Sequence, residues 1–360
     1  MKDSYITAGI KLDQLFRLLK RNKLSYTWKN ILRLAFLFQS SFWSSFFSLI
    51  EKAKFTKALK NEPVPDDPIF IIGHWRTGST LLHQLMCLDP QLIAPTLFQV
   101  ALPDSFLVSY PYYRPIFKRI ISEHRPMDQV KIGMDEPQED EYAIYRTTGI
   151  SPLEDLVFPK SKAYFLLQSD NFIPPDDKLE NWQRKIQHFY KKLRLKGKRK
   201  IVSKNPFNSY RIQLLYQLFP KAKFIHIHRH PYDVVPSTIH MWDIVQKQNC
   251  LNSNAHIPTI DEVLTVIDSV LTTINKDLQI LPSDSWAEIR FDELEKNPVP
   301  VLQTLYAKLG LQFLPEFEIN ILNFFYKIQT FKKNGFSLTE EENLIIKYRL
   351  KVHMERYGYR

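Results

Sequence analysis

The stretch PIFIIGHWRTGSTLLHQLM, residues 68–86, places the tightest constraint on how this chain can fold. Four apolar residues, Ile69 to Ile72, run into Gly73. A loop with Arg76, Gly78, Ser79 and Thr80 follows, and then a segment with Leu81, Leu82, Leu85 and Leu88 on one helical face, ended by Asp89-Pro90. A short apolar run met by glycine and then by helical periodicity reads as a buried strand, a turn and a helix. Glycines let such a turn fold tightly enough for several N–H groups to converge, and the helix N-terminus adds positive potential. The loop is therefore built to hold a compact anion.

Written as a pattern, Gly73-x4-Gly78-Ser79-Thr80 is a Walker A motif with serine in place of the lysine. A nucleotide triphosphatase needs that lysine on its β/γ-phosphates and an aspartate on magnesium from a partner strand. Here position 79 is serine, and the candidate partner strand ends in Arg229 rather than an acid. Arg76, at the loop apex, supplies a positive group instead.

A second constellation lies in IVSKNPFNSYRIQLLYQLFPKAKFIHIHRHPYDVVPSTIH, residues 201–240. The strand KIVSK (200–204) ends in Lys204, a crossover helix over 208–218 stops at Phe219-Pro220, and the strand KFIHIH (223–228) runs into Arg229, with Ser237 eight residues on. An arginine at a strand end and a serine in the following helix can converge on one phosphate, a charge-assisted bond plus a hydroxyl donor.

The rest of the chain alternates in the same way. A helix runs from Trp182 to about Leu195, a strand over 286–291, and a helix over 299–311 with Gly310 at its C-cap. Ser337 or Thr339 caps a last helix whose first turn holds Glu340, Glu341 and Glu342. Strands alternating with helices predict an α/β fold of P-loop-like, three-layer type: a central parallel sheet flanked by helices, with an N-terminal helical extension. The proline-rich NEPVPDDP (61–68) divides a helical region, 1–62, from the α/β domain, 63–360. Residues 95–180 are proline-punctuated, with short helices expected.

The N-terminal segment NILRLAFLFQSSFWSSFFSLI (30–50) is long enough to span a bilayer. However, its polar residues at 33, 40, 41, 44, 45 and 48 share one helical face, while Leu32, Phe36, Trp43, Phe47 and Ile50 share the other. An amphipathic helix is expected, either packed on the main domain or lying in a membrane interface. The first twenty residues lack the apolar core of a secretory signal. Two cysteines, Cys87 and Cys250, with no CxxC spacing, point to a reducing cytoplasm, at the inner membrane face if the helix docks there. No zinc-type spacing occurs, and no metal is expected. The net charge of +11 implies an anionic partner. It is dispersed, and with no basic-aromatic stripe or recognition motif a nucleic acid is not expected.

Taken together, the loop and the strand-Arg-x7-Ser pair resemble the two phosphate-binding elements of sulfotransferases that use 3′-phosphoadenylyl sulfate, over roughly residues 66–310. The resemblance implies that Arg76, Thr77, Gly78, Ser79, Thr80 and Leu81 cradle the 5′-phosphosulfate, and that Arg229 and Ser237 hold the 3′-phosphate. Arg76 stands where cytosolic members carry lysine; arginine is usual in the bacterial and protein-tyrosine-directed branches. SKNPF and the following FPKAKF resemble the tyrosylprotein sulfotransferases, in which the lysine matching Lys204 lies beside the transferring group. FKKNG (331–335) resembles the basic-glycine segment of the 3′-phosphate site, and FDELEKNP (291–298) a segment common in the family, whose Asp292 and Glu293 would fix a strand-to-helix turn.

The general base departs from both patterns. The glutamate of tyrosylprotein sulfotransferases has no counterpart in IAPTLFQ (93–99), and Lys204 occupies the place of the cytosolic histidine. The acid run DEPQEDEYAI (135–144) is the best source, with Glu139 first, then Asp140 and Glu141; RPMD followed by PQEDE also resembles a bacterial branch. His124 and Asp128 stand in reserve. The catalytic set is thus Arg76, Lys204, Glu139 and Asp140. Aromatic segments 98–106 and 110–117, with the amphipathic helix, favour a hydrophobic or lipid-like alcohol as acceptor. Two readings stay open beside sulfuryl transfer: a P-loop kinase, and a non-catalytic nucleotide-binding protein on the same fold.

Overall fold

The structure, a computed structural model, describes residues 6–22, 28–120, 133–251, 255–328 and 335–359, without the side chains at 28, 29 and 117–120. The chain forms two compact units that interleave along the sequence. One contains residues 1–65, 95–198 and 242–257, and the other 66–94, 199–241 and 258–360. The chain first passes between them at Pro65/Asp66, and the first unit then gathers residues 95–198 and 242–257.

The first unit is helical. Helix α1 (Leu12–Arg21) packs on α2 (Trp28–Asn61), which also meets the helices Phe106–Ile120 and Asp176–Lys196. The short helices expected in 95–180 are present at Leu97–Ala101, Glu141–Thr148, Leu153–Val157 and Phe165–Gln168. The packed face of α2 is its polar face. Arg33 donates to the carbonyls of Cys250 (3.0 Å) and Gln248 (3.2 Å), Asn30 to Leu251 O (3.0 Å), and Ser44 to Gly9 O (2.7 Å). Glu51 forms a buried ion pair with Lys192 and accepts the N–H of Leu107 (2.7 Å). Leu32, Phe42, Trp43, Phe46 and Leu49 are left exposed. Periodicity identifies the two faces of such a helix; it does not say which one the protein covers.

The second unit carries the sheet. Strands β1 (Ile69–Ile72), β2 (Leu92–Ile93), β3 (Lys200–Lys204), β4 (Lys223–His228) and β5 (Trp286–Arg290) are parallel, in the order β2-β3-β1-β4-β5. All four residues of β1 are buried, as a central strand covered on both faces requires. Ile69, Ile71, Ile225, Ile227 and Ile289 point to one face, against α3 (Ser79–Met86) and the helices Pro298–Leu309 and Pro315–Lys327. On the other, the Phe70 ring stacks on Phe224 and meets Phe219. Helix Ile260–Leu278 packs on the Pro206–Tyr210 turn and on Ile212–Leu218. The chain is thus an α/β protein with a central parallel sheet flanked by helices.

This topology positions the loops. Because every strand is parallel, the residues after β1, β3 and β4 emerge along one edge of the sheet. From β1 the chain leaves towards β2, and from its neighbour β4 towards β5. Connections diverging from adjacent strands open a crevice at their carboxyl ends, where α/β proteins bind ligands.

Candidate active site

In the loop after β1, Gly73 has φ +142° and Gly78 φ +90°. A methyl built on Gly73 would lie 2.5 Å from the carbonyl oxygen of Ile227, which is backbone and has nowhere to go. Built on Gly78, it would lie 2.5 Å from Cε2 of Phe291 and closer still to Cδ2. Between the glycines Arg76 takes φ +68°, the one non-glycine residue with positive φ among those described. Gly78 is the N-cap of α3 and no side chain caps that helix, so its first amides face the loop. The Thr77 hydroxyl donates to His74 O (2.8 Å) and closes the turn.

The segment after β3 braces this loop. Asn205 caps a 3-10 turn by accepting from Phe207 N (3.0 Å), Pro206 starts it, and Ser209 is brought under Gly73. Ser209 Oγ accepts from Gly73 N (3.0 Å) and lies 3.2 Å from Gly73 O. The expected helix over 208–218 is divided here: the turn occupies Pro206–Tyr210 and the α-helix begins at Ile212. Lys204, paired in register with Ile71, is almost fully buried at the end of β3.

Two contacts join the separate motifs. Arg76 Nε donates to Ser237 Oγ at 2.8 Å, across 161 residues of sequence. The Arg229 guanidinium lies 4.7 Å above the ring of Phe291, the same ring that confines Gly78, and Arg229 Nε pairs with Asp233 (3.2 Å). Arg76, Thr77, Gly78, Ser79, Thr80, Leu81, Lys204, Arg229 and Ser237 thus share one unit and one sheet edge. Glycine at the close approaches, uncapped helix amides and two arginines make a cradle suited to a phosphate- or sulfate-bearing ligand.

Two further residues belong to this neighbourhood and were not singled out from the sequence. One is Phe291, whose link to Gly78 and Arg229 is wholly non-local. The other is His83, one turn into α3 and buried. Burial, and then the Lys204 charge, push its pKa down to about 3, so the ring is neutral beside the lysine. His74, within the loop, is likewise pushed down to about 4 by burial. The one local signal was the i, i+4 spacing of Ser79 and His83. Arg290 holds Asp292 through two bonds (3.1 and 3.0 Å), fixing the turn from β5 into the helix Phe291–Lys296.

The acid run lies in the other unit. Asp140 is buried and accepts from the Tyr190 hydroxyl (2.7 Å), and Glu141 is buried and accepts from Ser151 (2.6 Å). Asp135 accepts from Tyr110 (3.0 Å). Glu139 is partly exposed. His124, Asp128 and residues 331–334 of FKKNG lie outside the described residues. Among the described residues, no group of three or more His, Cys, Asp or Glu side chains is arranged to hold a metal ion.

Residues 68–315 match the model of the sulfotransferase family. The chain belongs to that family. Omega-hydroxy-beta-dihydromenaquinone-9 sulfotransferase Stf3 of Mycobacterium bovis is 30% identical over 358 residues, covering 98% of this chain and 90% of that protein. The Stf3 of Mycobacterium tuberculosis matches to the same extent. Among solved structures, sulfotransferase STF9 of Mycobacterium avium superposes with a TM-score of 0.71 at 15% identity, over 100% of this chain and 93% of that one, a likeness of fold. The sulfotransferase is therefore an enzyme of the transferase class, and the kinase alternative is not favoured.

Proposed function

We propose that this sulfotransferase moves the sulfuryl group of 3′-phosphoadenylyl sulfate to the hydroxyl of a hydrophobic, lipid-like alcohol, working in the cytoplasm. The observation that carries this reading is the Arg76–Ser237 bond, which joins the loop after β1 to the element after β4 in one anion cradle. The donor, when bound, supplies the activated sulfuryl group. The α3 amides, with Arg76 to Leu81, hold its phosphosulfate end; Arg229, braced on Phe291, and Ser237 hold the 3′-phosphate.

Transfer of this kind resembles phosphoryl transfer: charge gathers on the equatorial and leaving oxygens, and preorganised cations and N–H donors aimed at it supply most of the acceleration. Arg76 and Lys204 take that role. His83, held neutral, adds no competing positive charge beside Lys204. Glu139 takes the acceptor proton, and Asp140, anchored by Tyr190, fixes the segment that carries it. The acceptor class is supported by the aromatic segments 98–106 and 110–117 and by the Stf3 relatives, named for an omega-hydroxy dihydromenaquinone. Peripheral membrane contact through residues 30–50 suits such an acceptor.

Calorimetric titration with adenosine 3′,5′-bisphosphate, against ADP and ATP, tests the donor site. The 3′-phosphorylated nucleotide is expected to bind best, with the preference lost in Arg229→Ala. Equal or tighter binding of ATP would overturn the reading.

A further inference from the structure

Helix α2 is turned largely inside out: Asn30, Arg33, Ser41 and Ser44 are buried, alongside Leu37 and Leu59, while a row of large apolar side chains faces outward. Phe42, Trp43, Phe46 and Leu49 are each exposed by 45% or more, and Leu32 continues the row one helical stretch earlier. Isolated exposed apolar residues are ordinary, but a continuous row along one helix marks a surface that something covers. The row goes on as charge. From Phe46 and Leu49 the spacing of 3 and 4 residues leads through Ala53 to Lys57 and Lys60, all exposed, with Lys52 and Lys54 on either side. The only acid in α2 is Glu51, and it is buried against Lys192, so the exposed side of the helix carries positive charge alone.

Neighbouring helices extend the surface. Phe47 lies 5.2 Å from Tyr112 and 5.8 Å from Tyr113, and both Tyr112 and Ile116 are exposed on the helix Phe106–Ile120. The aromatic contacts continue from Tyr113 to the buried Phe98 (6.4 Å) and from Phe98 to the half-exposed Tyr110 (5.1 Å). Tyr110 holds Asp135 in the segment that leads to Glu139. No described helix is long and apolar enough to cross a membrane.

We infer that this face docks on the surface of an anionic lipid bilayer, α2 lying in the interface with Trp43, Phe46 and Leu49 in the acyl boundary and Lys57 and Lys60 on the headgroups. An apolar row with tryptophan, continued by lysines on a helix whose one acid is buried, is complementary to anionic headgroups over hydrocarbon. The inference rests on the lipid-like acceptor proposed above and names the surface from which that acceptor is drawn. The aromatic path from Phe47 to Tyr110 runs from that surface towards the segment bearing the proposed base.

The test is co-sedimentation of the full chain with phosphatidylcholine vesicles, with and without about a third phosphatidylglycerol, at low and high salt. Wild type is expected to bind the anionic vesicles more tightly, with the difference erased by salt. Lys57→Ala with Lys60→Ala should weaken anionic binding about fivefold for each lysine removed and leave neutral vesicles unaffected. Trp43→Ser with Phe46→Ser, both exposed, should weaken binding to either vesicle by about tenfold or more. Failure of wild type to bind anionic vesicles would overturn the inference. So would a wild-type dimer that ignores vesicles and is made monomeric by the Trp43/Phe46 variant, which would give the face to a second copy of the chain. Adenosine 3′,5′-bisphosphate titrated into the same preparations keeps the two readings apart: vesicle binding without nucleotide binding leaves the docking face standing and removes the donor-site reading.

Discussion

Replacing Gly78 by alanine tests whether the loop after β1 is held by its neighbours or merely follows the strand. Two costs come from the structure. The backbone at Gly78, φ +90°, is left-handed, which costs an L-residue roughly 1–2 kcal/mol. The added methyl also meets Phe291, with Cε2 at 2.5 Å, and that ring belongs to the apolar core of its unit and cannot swing into water. Forcing a carbon into such a packed site costs about 1–3 kcal/mol. Together the loss is about 2–5 kcal/mol, or a fall in Tm on the order of 10 °C at the 2–4 °C per kcal/mol usual for units of this size. The two parts separate in a double-mutant cycle with Phe291→Leu, which removes the ring edge but leaves the backbone unchanged. About 1–3 kcal/mol should return in the double variant, measured by urea or thermal unfolding. Additive effects to within about 0.5 kcal/mol, or a Gly78→Ala protein as stable as wild type, would refute the argument.

Lys192→Met leaves the Glu51 carboxylate, whose pKa burial already raises, without its partner, and should cost about 3–5 kcal/mol in thermal unfolding; adding Glu51→Gln should restore much of it. His74 and His83 titrate near 4 and 3 in the fold against 6.5 when exposed, so the unfolded chain binds more protons below 6.5. Stability should therefore be full above pH 6.5 and fall on acidification, by up to about 1.4 kcal/mol per pH unit for each histidine; His83→Gln should flatten the decline in urea midpoints taken across that range, and an unchanged decline would count against it. Ser237→Ala removes the hydroxyl that Arg76 donates to, and adenosine 3′,5′-bisphosphate should bind about three- to tenfold more weakly by calorimetry, with little change in Tm.

The sheet edge that carries the proposed donor elements was legible because each of its strands announces itself locally. Ile69–Ile72 is an unbroken apolar run, and β3 and β4 are β-rich runs closed by Asn205-Pro206 and by Arg229-His230-Pro231. Strand β2 was not legible: two residues have no period, and Leu92–Ile93 is a strand only because it pairs with Lys200 and Ile201. Helix Ile260–Leu278 went unread although its signal was present. Thr259 and Glu262 form a capping box, and the buried positions 263, 266, 267, 270, 271, 274 and 278 follow at helical spacing. The roles of Phe291 and of the buried polar face of α2 depend on distant partners, such as Gly78 for Phe291 and Cys250 for Arg33, which no window of sequence contains.

Arg76 shows how these scattered elements serve one purpose. A left-handed arginine is strained by about 1–3 kcal/mol and persists only where its surroundings over-determine it. Those surroundings are visible. Gly73 cannot move because Ser209 grips its amide and Ile227 backs it. Gly78 cannot move because Phe291 backs it, and the Arg76 side chain is tied to Ser237. A lysine at the usual place in α3 would reach the anion from the helix. In the proposed site, an arginine at the loop apex would reach it only if the loop is rigid, so the loss of the Walker lysine and the stiffness of the loop would be two sides of one arrangement. Preorganised cations do not have to reorient as charge develops, and that is the property that sulfuryl transfer requires of them.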